Sequence, residues 1–111
     1  MTTDRKTRTI TLTGRAPVRI IEEDWPVIAD ASIYRFLGQS RDVRIRRHAD
    51  GRTIVYGTAP SGRRARRSAA GILLAAAESR DIAAAIRIVC IDLGAPELAQ
   101  RLIADLPAVA I

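Results

Sequence analysis

The sequence predicts an α+β fold: an antiparallel sheet of three to four strands with an inserted helix, and C-terminal helices packed on one face. Three observations predict it. Asp50-Gly51 is a strong turn pair between two β-prone runs, within VRIRRHADGRTIVYG at 43–57. Residues 9–13, Thr-Ile-Thr-Leu-Thr, alternate β-branched polar with apolar side chains. The last third instead repeats apolar residues at helical spacing. At 111 residues the chain is one domain, 1–111. Residues 1–8 are expected to be disordered, and 58–68 to form an arginine-rich connector.

The first strand has Ile10 and Leu12 facing the core. Gly14-Arg15-Ala16 is either a tight turn or a bulge, before a second extended run from Pro17 to Ile21. Glu22-Glu23-Asp24-Trp25-Pro26 reads as a helix start, with acids at the positive end and proline in the first turn. Trp25, Ile28, Ala29 and Ser32 then recur at i, i+3, i+4, i+7, so a helix is predicted over 24 to about 37, anchored to the sheet by the only tryptophan.

The central hairpin admits two registers. A two-residue turn at Asp50-Gly51 pairs Ala49 with Arg52 and puts Val43, Ile45, Ile54 and Tyr56 on one face. A three-residue loop with Gly51 as a left-handed bulge pairs His48 with Arg52 and puts Val55 there instead. The first separates apolar from basic residues better and is preferred. Either way Arg44, Arg46 and His48 share one face, because side chains alternate along a strand. That row can grip phosphates, or it can be the solvated outer face of a one-sided sheet.

Helix formers dominate 69–78. A further helix over 81–93, capped by Ser79 or Asp81 and ended by Gly94, is apolar nearly all round. That pattern suits a central core helix or a subunit contact. Ala95-Pro96 opens a last helix with Leu98, Ala99, Leu102, Ile103 and Leu106 along one face, stopped by Pro107. The tail 108–111 is apolar enough to dock on the body or a partner.

Charge is distributed unevenly. Residues 1–67 hold 15 of 18 basic and 7 of 12 acidic residues, a balance of +8, and the remainder carries −2. All the basic residues except Lys6 are arginines. Four of them, Arg63, Arg64, Arg66 and Arg67, fall within five residues. This run is either a nucleic-acid or acidic-partner contact or a solvated connector.

Chemistry-bearing motifs are missing. The single cysteine, Cys90, lies in the apolar run IRIVCIDL and reads as a small core residue. With one histidine there is no Ser-His-Asp arrangement, and the scattered glycines form no phosphate loop. No cofactor, catalytic residue or metal site is expected. No signal peptide is read, and the longest uncharged runs, 68–77 and the equally long 53–62, are too short to cross a bilayer, so a cytoplasmic location is expected with no membrane partner.

Four segments, ITLTGRAPVRI, EEDWPVIADAS, VRIRRHADGRTIVYG and DIAAAIRIV, make the chain similar to a family of short uncharacterised proteobacterial proteins, many borne on plasmids or integrated elements. The similarity spans most of the chain except about 33–42 and 60–77. It implies a mobile-element accessory role and brings no activity with it.

These observations predict a small non-enzymatic basic protein that contacts the nucleic-acid backbone or a nucleoprotein, through Arg44, Arg46, His48, Arg63, Arg64, Arg66 and Arg67. The alternative is a protein-interaction module or inhibitor, homodimeric through its C-terminal helices, whose arginines meet an acidic protein surface. An enzyme using His48 and a nearby arginine is the weakest reading.

Overall fold

The computed structural model describes residues 5–35, 39–61 and 66–106. Strands β1 (Thr7–Ile10) and β2 (Val18–Ile21) form a two-stranded hairpin. Gly14, at φ 70, takes the left-handed turn that joins them, which settles a turn rather than a bulge. Strands β3 (Val27–Arg35), β4 (Gln39–Arg47), β5 (Thr53–Ser61) and β6 (Arg66–Leu74) follow as an antiparallel meander in that order. Two helices, α1 (Ile82–Asp92) and α2 (Glu97–Asp105), close the described chain.

Both faces of the four-stranded sheet are covered. On one, Ala31, Val43, Ile45 and Val55 pack against Ile86, Val89, Leu98 and Leu102 of the helices. On the other, Ile54 and Leu73 meet Ile10, Leu12, Ile20 and Trp25 from the hairpin and the segment after it. Ile54 and Val55 are both completely buried, so consecutive residues of β5 serve opposite cores. Each such side chain contributes roughly 2 kcal/mol by leaving water. Arg41 ties sheet to helices, its Nε donating to the Leu93 carbonyl at 2.9 Å just past the end of α1.

Where a helix is predicted over 24 to about 37, Val27–Arg35 form a strand, and 36–37 lie outside the described residues. Glu22–Asp24 form only a single 3-10 turn, and Trp25 has φ −127 because a residue before proline is pushed out of the helical region. Burial then alternates: Ala29 and Ala31 are buried, Asp30 and Ser32 exposed. That period-two signal is carried by alanines, which bury little and so hardly register as apolar alternation. Trp25 does anchor a neighbouring layer, but it joins the hairpin core and not a helical stripe.

The predicted helix over 69–78 is corrected in the same way. Residues through Leu74 belong to β6, and Ala76–Asp81 form a 3-10 helix. Long-range pairing with β5 overrides the helix propensity of Ala, Ile and Leu. The connector at 58–68 shrinks accordingly: 58–61 end β5, 66–68 start β6, and only 62–65 lie outside the described residues. Thr7 and Arg8, expected to be disordered, lie in β1.

The hairpin register is the three-residue alternative. His48 N–H donates to the Arg52 carbonyl at 2.9 Å, Gly51 N–H donates to the His48 carbonyl at 2.9 Å, and Gly51 sits at φ 98. Arg44 faces Tyr56 and Ile45 faces Val55. Preferring the other register assumed a sheet with one buried face. Here Ile54 finds its own core beneath the β1–β2 hairpin, so nothing drives it to the helix side. The helices match their expected faces, with Gly94 at φ 72 ending the first. Among the described residues no helix is long and apolar enough to cross a membrane.

Candidate nucleic-acid interface

Strand alternation places Arg44, Arg46 and His48 on the same face of β4, as the sequence implied, but that face is not an open cationic row. The β1–β2 hairpin and Trp25 cover part of it. Arg46 is only 6% exposed. Its Nε donates to Tyr56 Oη at 2.8 Å, its Nη1 donates to the Trp25 carbonyl at 3.0 Å, and its Nη2 lies 3.7 Å from Glu22 Oε1. Arg46 is therefore a strut between layers and not a phosphate contact, a correction to the expected row. Glu22 also accepts from Arg8 Nε at 2.7 Å. The Arg8 hydrogen bond, helped by the nearby positive charges, holds Glu22 below the ordinary glutamate range although partial burial opposes it.

His48 is committed elsewhere too. Its ring meets Trp25 edge-on at 5.1 Å, and its Nδ1 accepts the Asp50 N–H at 3.1 Å. Arg52 lies over the Trp25 ring at 5.0 Å and donates to Asp50 Oδ2 at 2.7 Å. The hydrogen bond from the Arg52 backbone, then its side chain, lowers the Asp50 carboxyl from its usual range. These contacts lock the turn of the β4–β5 hairpin. They lie at the opposite end of β5 from the arginine run, so the expected cationic residues do not form one surface.

Arg44 stands apart. It is half-buried, faces Asp30 on β3 and Tyr56 on β5, and lines a groove of about 440 Å³ with Arg8, Ser32, Asp42, Thr58 and Arg101. Among the described residues, Asp30, Asp42, Arg44 and Arg101 make no ion pair. The Tyr56 oxygen already accepts from Arg46, so its own hydrogen is left to donate. Sequence reasoning found Arg44 but missed its surroundings. Asp30 reaches Arg44 only because 27–35 is a strand, and Arg101 arrives from the far end of the chain.

The second feature is a ribbon. Gly71 turns both backbone groups toward Thr13: its N–H donates to Thr13 Oγ1 at 3.2 Å, and its carbonyl accepts the Thr13 N–H at 2.8 Å. Its ladder partner Tyr56 must therefore turn its own backbone groups toward β4. Thr58 and Pro60, two and four residues on, do likewise, and Pro60 has no N–H to give. Accordingly β4 pairs with β5 only as far as Asp42↔Thr58, while β5 and β6 remain paired out to Ser61↔Arg66. Beyond Thr58 the β5–β6 ribbon therefore parts from β4, which runs on to Gln39 paired with β3 instead. Arg66 and Arg67 are the first residues of β6; Arg63 and Arg64 lie outside the described residues.

Other chemistry has little support. Cys90 is completely buried, and burial pushes its thiol up to about 11, far from the thiolate a nucleophile needs. Among the described residues no group of three or more His, Cys, Asp or Glu side chains could hold a metal ion. The chain matches no family model, no curated protein and no solved structure, so the interface is argued from its own geometry.

Proposed function

We propose that the protein is a small, non-enzymatic basic accessory protein that contacts the phosphate backbone of nucleic acid or a nucleoprotein. The observation that carries this reading is the β5–β6 ribbon, which parts from β4 after Thr58 and, in sequence, flanks a run with four arginines in five residues. Arginine presents a planar fork suited to phosphate. α1 and α2 carry only Arg87 and Arg101 between them. Reading of bases by a helix in the major groove is therefore not part of the proposal. The resemblance to plasmid-borne and integrated-element proteins is the reason for reading the role as a mobile-element accessory.

The test is binding to duplex and single-stranded nucleic acid across a salt series. Four phosphate contacts predict a log–log slope near about −3.6 on duplex, roughly a hundredfold loss between about 50 and 200 mM salt. Binding that ignores salt, or no binding at low salt, contradicts the proposal.

A second reading is a homo-oligomeric interaction module or inhibitor that meets an acidic protein partner. It is favoured by the outer side of α1, where Ile88 is 49% and Ile91 64% exposed. Light scattering separates the two: a strict monomer at high concentration removes the oligomer.

A further inference from the structure

The groove around Arg44 carries an inference that rests on the proposed nucleic-acid contact and makes it more specific. We infer that this groove seats one nucleotide unit of single-stranded RNA and selects ribose over deoxyribose.

Arg44 and Arg101 are cations without ion pairs among the described residues, so both are available to a phosphate. A simple anion site would have donors only. This one does not: Asp30 faces Arg44 across the β3–β4 ladder, and Asp42 lies two residues before Arg44 on the same strand face. Strand geometry spaces the first about 5 Å and the second about 7 Å from Arg44 along the backbone. Two unpaired carboxylates would repel a bare phosphate. They suit a ligand that brings hydrogen-bond donors beside its negative charge, and a ribose phosphate does so through its hydroxyls. The 2′-hydroxyl is the donor that DNA lacks.

The rest of the groove agrees. The Tyr56 hydroxyl, held from behind by Arg46, has its hydrogen free to donate, and Thr58 adds a second hydroxyl beside it. About 440 Å³ falls in the range of pockets that hold small ligands and is ample for one nucleotide. Thr58 is also the last residue of β5 to pair with β4. The groove therefore ends where β5 leaves β4. A whole nucleotide fits only where its base is free to leave the stack, which a single strand allows and a duplex opposes.

The experiment compares single-stranded RNA and DNA of one sequence, at one salt concentration, on the full chain and on the double variant Asp30→Ala/Asp42→Ala. Both aspartates are exposed strand residues without ion pairs, so the variant keeps the fold. The wild type is expected to prefer RNA about tenfold or more, the worth of one hydrogen bond to a charged group. In the variant the preference falls to near unity, while DNA binding is unchanged or stronger because two negative charges are gone. Equal wild-type affinity for RNA and DNA overturns the inference, as does a preference that survives in the variant. Failure of the underlying reading looks different: neither strand binds.

Discussion

Replacing Arg46 by alanine is expected to lower the unfolding free energy by about 3 kcal/mol or more. Its guanidinium is buried and donates to Tyr56 Oη and the Trp25 carbonyl while facing Glu22. Removal strands the buried Trp25 carbonyl, the part-buried Tyr56 hydroxyl and part of a carboxylate's compensation at once, and a buried unsatisfied group costs about 1–3 kcal/mol. Arg46→Lys should recover only part of this, because one ammonium cannot reproduce a fork aimed at three partners. Arg44→Ala, two residues along the same strand face, should change stability by less than about 0.5 kcal/mol. Urea unfolding of the three variants checks the ordering. Equal effects at 44 and 46 would mean that Arg46 is not the strut described.

Gly71→Ala should be nearly as damaging, at about 2–3 kcal/mol. A Cβ there would run into the Thr11 carbonyl and come within 3.3 Å of Leu12 Cδ2. The obstacle is backbone, so a side-chain rotation cannot relieve it. Gly71 also exchanges two hydrogen bonds with Thr13, and these hold the β1–β2 hairpin loop to β6. Lifting the loop opens the core around Trp25, which is 7% exposed. Tryptophan emission should therefore shift to the red in the folded variant. A variant with wild-type stability and emission would contradict this docking.

Local chemistry made parts of the fold legible. The Asp50-Gly51 turn, the inward-facing Ile10 and Leu12 and the punctuation by Gly94 and Pro96 act within a few residues and appear as expected, although the strand expected over 9–13 lies at Thr7–Ile10. The errors share one cause. At 27–35 and 66–74 the pattern is built from alanine, serine and good helix formers, and the strand state is decided by distant partners: β4 for the first, β5 and Thr13 for the second. The register error followed from treating the sheet as one-sided. With a second core over Ile54, an arginine can be buried beside it and Ile54 can point away from Val43.

The site was legible as charge but not as place. The sequence identifies the arginines, yet only the ladder separates Arg46, spent on structure, from Arg44, left free beside Asp30 and Asp42. Of the arginine run, read as part of a connector, Arg66 and Arg67 instead open β6, where the β5–β6 ribbon has parted from β4.

The most direct test of the central claim is the salt slope of duplex binding for the wild type against a variant in which Arg63, Arg64, Arg66 and Arg67 are all glutamine. If these arginines meet phosphates, the variant's slope is shallower by about 3.6, or roughly 0.9 per lost contact. A slope unchanged by the substitution would contradict a phosphate-binding ribbon.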